Sequence, residues 1–198
     1  MTIDMNNIEK VHERLLELLY ARSFIYRENP PFKLVSGKES FYYFDCKATT
    51  LFPEGLFLIG KAVFHKISGI LKTHGADAIG GLTLGADPIS LAASLEAYQN
   101  NHTLYPLIVR KEPKKHGTCK WIEGNSEGIK KVIVVDDVIT TGGSTITAVE
   151  RMRESGFDVT TAVVLIDRQE GGRENIEKLG IEVLSVFARS DFDARRQK

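Results

Sequence analysis

The sequence predicts an α/β fold: a central, mostly parallel sheet flanked by helices, with a small N-terminal hood containing a helix and a β-ribbon. Three observations carry this. Short apolar runs recur at 77–82, 104–109, 132–135, 159–166 and 181–187, as expected of strands buried on both faces. Between several of them, apolar residues return at helical spacing, as in Leu56, Ile59, Val63, Ile67 and Leu71. The length, 198 residues, suits one domain with a sizeable core. We read residues 1–198 as that domain, with the hood over 1–50 plus the C-terminal residues and the core over 51–187.

Composition narrows the function classes. The 26 basic and 26 acidic side chains cancel, so no global field recruits nucleic acid or membrane, and an anion site must be local. The only cysteines are Cys46 and Cys119, without a CxxC pair, a signal-like N-terminus or an apolar run of spanning length. A cytoplasmic setting is the default expectation.

In chain order, Ile8, Val11, Leu15, Leu16, Leu18 and Leu19 alternate with charged residues and predict a helix from Ile8 to Tyr20. Phe32 to Asp45 reads as two short strands around Ser36-Gly37-Lys38-Glu39, the second being Phe41-Tyr42-Tyr43-Phe44. Such aromatics either pack or stack on a flat ligand. Pro53 opens a helix to Lys72. The strand 77–82 ends in Thr83-Leu84-Gly85-Ala86-Asp87-Pro88 before another helix, so a phosphate could approach backbone N–H groups there, unless these are ordinary turn glycines. After the strand 104–109 comes Arg110-Lys111-Glu112-Pro113-Lys114-Lys115-His116-Gly117-Thr118, which is either a solvated charge run or a functional loop. The strand 159–166 ends in Asp167-Arg168, where an arginine can grip a carboxylate through two parallel hydrogen bonds or pair with Asp167 or Glu170. Ile181 to Phe187 closes the sheet, and Arg189 to Lys198 reads as an exposed tail.

The most informative stretch runs from Lys130 to Thr145. Val132 to Val135 form a buried strand ended by Asp136 and Asp137, followed by Val138, Ile139 and Thr140-Thr141-Gly142-Gly143-Ser144-Thr145, then a helix to Gly156. Hydroxyls and glycines at a helix N-terminus form a cradle for a phosphate monoester. Carboxylates just upstream would repel that phosphate, so they suit sugar hydroxyls or a hydrated cation. Phosphate at one end and diol at the other describe a ribose 5-phosphate. Neither the Walker A loop nor the Gly-x-Gly-x-x-Gly fingerprint is present. A receiver-like phosphoacceptor aspartate would leave the hydroxyl-glycine cradle unexplained.

This stretch resembles the phosphoribosyl pyrophosphate (PRPP) signature of the type I phosphoribosyltransferases, and Ser36 to Phe44 together with 110–118 resemble the orotate members of that family. The resemblance implies the type I phosphoribosyltransferase fold and transfer of 5-phosphoribosyl from PRPP to orotate, with Mg²⁺ as cofactor held mainly by substrate oxygens and water, near Asp136 and Asp137. It implies PRPP contacts at Asp136, Asp137, Val138, Ile139, Thr140, Thr141, Gly142, Gly143, Ser144, Leu84 and Gly85. It implies orotate contacts at Tyr43, Phe44, Thr140, Arg168 and Lys38, and catalytic roles for Arg110, Lys111, Lys114 and His116. It also implies a homodimer in which the 110–118 loop reaches the neighbouring site. Two departures stand out: orotate enzymes often carry lysines where this chain has Val35 and Leu84, and Lys33, Lys38 or Lys47 could supply the charge missing at Val35. An enzyme for another nucleobase, or a non-catalytic PRPP-binding regulator, would keep the cradle and differ in the hood or in turnover.

Overall fold

Strands that are apolar on both sides need a layer against each face, and the computed structural model, which describes residues 7–33, 39–73, 75–113 and 121–196, supplies both layers. The hood comprises α1 (Ile8–Arg22), β1 (Phe24–Tyr26), β2 (Phe32–Lys33), β3 (Glu39–Ser40), β4 (Tyr42–Phe44) and α2 (Lys47–Thr50). The core follows as α3 (Pro53–Thr73), β5 (Ala78–Leu82), α4 (Ala86–Gln99), β6 (Tyr105–Val109), β7 (Ile122–Glu123), β8 (Lys131–Ile139), α5 (Gly143–Glu154), β9 (Asp158–Asp167), α6 (Gly172–Glu177) and β10 (Glu182–Ala188). The last helix is α7 (Arg189–Arg196).

The main sheet has the order β10-β9-β8-β5-β6-β7, parallel except for the short edge strand β7. Alternation along β8 feeds two cores. Ile133 and Val135 join α1, α3 and α4 on one face, while Val132 and Val134 join α5 and the Ile176 side of α6 on the other. Strand β8 does not stop at the acidic pair as its apolar content suggests. It runs on to Ile139 because Val138 and Ile139 still pair with Ile166 and Asp167 of β9.

The hood departs from its expected form in its pairing. Phe32–Lys33 pairs with Glu39–Ser40, not with the aromatic strand expected over Phe41–Phe44; that strand, β4, pairs antiparallel with β1, which was not anticipated from the sequence. The C-terminal stretch is likewise a helix rather than an exposed tail. In α7, Phe192 is wholly buried, its ring centroid 5.5 Å from Phe24 and 4.9 Å from Phe44, and Arg195 pairs with Glu17 of α1 at 2.9 Å. One aromatic in an otherwise charged octapeptide leaves little periodic signal, yet it closes the cluster joining hood and core. The described chain contains no helix long and apolar enough to cross a membrane.

Truncating Phe192 to alanine empties that cluster, and the expected loss is about 3–5 kcal/mol of unfolding free energy, read from urea denaturation against the wild type; a midpoint unchanged at equal slope would remove α7 from the structural core.

Candidate functional site

In open parallel sheets, ligands bind beyond the carboxyl ends of strands where the chain order reverses. Here the reversal lies between β5 and β8, because β6 extends the sheet on one side of β5 and β8 on the other. The two glycine-bearing turns picked out from sequence, 83–85 and 140–144, leave those two strands side by side. A cavity of about 340 Å³ opens there, lined by Lys47, Leu82, Thr83, Leu84, Gly85, Lys111, Asp136, Asp137 and Ser144.

The cradle is built from the turn into α5. Gly142 takes φ +85°, and a Cβ there would meet the Gly172 carbonyl oxygen at 2.9 Å, so the residue must be glycine both for its backbone and for the neighbouring turn. No side chain caps α5, so its first N–H groups have no side-chain acceptor and can meet an anion. Thr145, by contrast, is buried and donates to Asp136 Oδ2 at 2.7 Å, which ties the helix to the strand end.

The carboxylates divide their tasks. Asp136 is buried and accepts from Thr145 and from the Asp137 N–H, whereas Asp137 accepts from the Val138 N–H and borders the cavity. Burial, with the Asp137 charge beside it, pushes Asp136 up to about 7, and burial also raises Asp137. Gly85 packs directly on Asp137: a Cβ at residue 85 would lie 2.7 Å from Asp137 Oδ1. The turn before it is pinned by the Thr83 N–H on the Val109 carbonyl at 2.9 Å and by Thr83 Oγ1 donating to Asp87 at 2.6 Å, and its Thr83–Leu84 peptide is cis.

Of the cationic loop, Arg110 and Lys111 are described, while Lys114 and His116 lie outside the described residues, as does Lys38. Lys111 borders the cavity. Arg110 pairs with Glu123 at 3.1 Å beside it. The stem of this loop is held by a residue absent from the sequence reading, Arg151 of α5, which donates to the Arg110 and Lys111 carbonyls while its guanidinium lies 4.1 Å from the Trp121 ring centre.

The hood face is organised by Arg168, buried at the end of β9. Its guanidinium meets Glu170 at 2.8 Å and Ser40 Oγ at 3.4 Å and lies 4.7 Å from the Tyr42 ring centre, while Tyr42 donates to the same Glu170 oxygen at 2.7 Å. Strand alternation splits the expected ring-binding pair. Phe44 is packed into the core against Phe24 and Phe192, so it acts as a packing residue, while Tyr43 stays exposed next to Phe32, 5.7 Å between ring centres. The pairing of Arg168 with Glu170 is one of the two expected for it, whereas Tyr42 was not singled out, although alternation along β4 could have done so. Lys47, one of three lysines offered for the charge missing at Val35, sits on the cavity wall with Nζ 2.8 Å from Asp45 Oδ1.

No group of three or more His, Cys, Asp or Glu side chains gathers as a metal-binding set among the described residues. The donor set that does border the cavity, Asp136 and Asp137, fits a divalent cation whose other ligands come from substrate and water.

Comparison with known proteins agrees with this arrangement. The family described as the phosphoribosyl transferase domain matches residues 113–190. Curated orotate phosphoribosyltransferases are similar over nearly the whole chain: that of Leptospira biflexa is 46% identical over 174 residues, covering 87% of this chain and 94% of the relative, and that of Aquifex aeolicus is 46% identical over 179 residues, covering 90% and 96%. Among solved structures, Mycobacterium tuberculosis H37Rv orotate phosphoribosyltransferase in complex with PRPP superposes with a TM-score of 0.73 at 30% identity, covering 92% of this chain and 99% of that one. The adenine enzyme of Leishmania donovani, at 16% identity and TM-score 0.58, shares the fold alone.

The acidic pair makes a pH dependence. Because both carboxyls titrate above their ordinary range, the folded chain keeps protons that the unfolded chain releases, so their contribution to stability is full below about pH 4 and is lost as pH rises through about 7. Unfolding free energies from urea denaturation between pH 5 and pH 7.5 are expected to fall in the wild type relative to Asp136→Asn, by up to about 1.4 kcal/mol per pH unit; parallel profiles would refute it.

Proposed function

We propose a mechanism from one premise, that the chain belongs to the orotate phosphoribosyltransferase family. It transfers 5-phosphoribosyl from PRPP to orotate, giving orotidine 5′-monophosphate and pyrophosphate in de novo pyrimidine (UMP) biosynthesis. The observation that carries the assignment to these residues is the juxtaposition, at one strand-order reversal, of an uncapped helix N-terminus, an acidic pair and a second glycine turn.

On this reading the N–H groups and hydroxyls of Thr140 to Ser144 hold the 5-phosphate, Asp137 accepts hydrogen bonds from the ribose diol, and buried Asp136 orients the turn through Thr145. The bond from orotate N1 to the anomeric carbon forms as the bond to the pyrophosphate oxygen breaks. Positive charge develops on the ribose and negative charge on the departing group, so positioned charges do most of the work. Leu84, Gly85 and Lys111 border the space for the pyrophosphate, and Lys114 and His116 are assigned to the same leaving group, with His116 as its proton donor. Mg²⁺, when bound, would neutralise pyrophosphate charge, with Asp136 and Asp137 nearby.

Arg168 is assigned to the orotate carboxylate. Glu170 occupies the Nε and Nη2 atoms, and Tyr42 braces the guanidinium, so the Nη1 side faces away from that pairing and suits a second carboxylate. Tyr43 and Thr140 complete the ring site, with Phe44 supporting it from behind.

A homodimer belongs to the same proposal. Its support is an exposed apolar stripe on α4, Leu91, Leu95 and Tyr98, which with Tyr105 and Pro106 edges a hollow of about 310 Å³. Among the described residues nothing covers this stripe, and a second copy is the occupant that the family resemblance calls for.

The decisive assay follows orotate absorbance with PRPP and Mg²⁺, beside uracil, hypoxanthine and adenine. PRPP-dependent loss of the orotate signal is expected; pyrophosphate release with another base alone would overturn the ring-site assignment. For the assembly, sedimentation should give a dimer for the wild type and a folded monomer for Leu95→Glu, and an unaltered dimer would move the interface elsewhere.

A further inference from the structure

The cavity at the strand-order reversal poses an electrostatic problem. On the proposed reaction it must take a diphosphate, yet its wall carries two carboxylates, Asp136 and Asp137, and the turn bordering it, Thr83, Leu84 and Gly85, contributes no charge, Leu84 being 66% exposed. A polyanion enters such a space only where cations outweigh the fixed negative charge. Among the described residues on the wall, the cations are Lys111, on the stem of the loop, and Lys47.

Lys47 is placed for this task by the fold. It opens α2, and α2 is fixed on several sides: the Thr49 hydroxyl meets the buried Ser23 hydroxyl at 2.7 Å, the Ala48 carbonyl accepts from Arg22 at 2.9 Å, and α3 packs so closely that a Cβ at Gly55 would meet the Thr49 carbonyl oxygen at 2.2 Å. The ammonium is half-exposed and ion-paired with Asp45, which holds it above its ordinary range and therefore charged. The 2.8 Å contact to Asp45 Oδ1 engages one face of an ammonium that carries three N–H donors. Asp137 is near enough for Lys47 to stabilise its charged form. Lys47 thus already offsets the carboxylate that the diphosphate would otherwise face bare.

We infer that Lys47 binds the diphosphate of the phosphoribosyl donor, supplying from the hood junction the cation that the 83–88 turn lacks at Leu84. The inference rests on the reaction proposed above and adds to it a diphosphate contact at Lys47, which the sequence offered only as a substitute for the charge missing at Val35. Lys47 of α2, Lys111 of the loop stem and Leu84 of the turn line the same cavity, and the proposal places the pyrophosphate there. A lysine introduced at residue 84 would border the same space and do the same work.

Isothermal calorimetry with inorganic pyrophosphate and Mg²⁺ tests this directly. Lys47→Ala is expected to weaken pyrophosphate binding about tenfold or more and to raise KM for PRPP, with KM for orotate changed far less; the double variant Lys47→Ala/Leu84→Lys is expected to regain most of the affinity. A merely structural role for Lys47 would not be rescued from residue 84. Pyrophosphate affinity within twofold of the wild type in Lys47→Ala, or a loss that Leu84→Lys does not repair, overturns the inference. Wild-type turnover with orotate is read separately, so a failed Lys47 assignment and a failed reaction assignment give different results.

Discussion

Everything in this molecule is arranged around two adjacent carboxylates held at the end of a parallel strand. Charged groups so placed are costly to bury, and the chain meets the cost with local hydrogen bonds from Thr145 and from the backbone N–H groups of Asp137 and Val138. That requirement fixes the start of α5 relative to β8, since Thr145 must sit over Asp136. It also constrains the 83–85 turn, because a Cβ at Gly85 would crowd the Asp137 carboxylate. The start of α5 and the second turn are both fitted around the acidic pair.

The two cores have different relations to that centre. The face covered by α1, α3 and α4 is continuous with the hood through Phe24, Phe44 and Phe192, so the hood is packed into the main body rather than hinged onto it. On the face covered by α5 and α6, the Gly142 and Gly172 turns lie against each other. Arg168, at the end of β9, faces the hood residues Ser40 and Tyr42 and links the two.

The sheet, the helix from Pro53 and the cradle were legible because each carries a strong local signal: β-branched runs, a helical stripe, and glycines beside hydroxyls. What escaped was whatever depends on contacts distant in sequence. Strand β1 exists because β4 pairs with it, and α7 because Phe192 finds Phe24 and Phe44, neither of which a three-residue strand or a charged octapeptide announces. Within the site, the residue types at 136–144 and the Arg168–Glu170 pair were readable from spacing, but the separation of Tyr43 from Phe44 depended on the register of β4, and the roles of Arg151 and Lys47 on side chains that meet only when the sheet forms. Lys114, His116 and Lys38 lie outside the described residues, so their assignments rest on resemblance.

The placement of Arg151 constrains the history of the chain as much as its chemistry. Helix α5 is engaged at both ends: its first turn is tied to Asp136 through Thr145, and Arg151, about 12 Å beyond Gly143, grips the carbonyls of residues 110 and 111. Inserting or deleting one residue between them would swing Arg151 about 100° around the helix axis, away from Trp121 and off the stem it holds. The interval from Gly143 to Arg151 therefore has a fixed length, and lineages of this protein should accumulate substitutions there but not insertions or deletions.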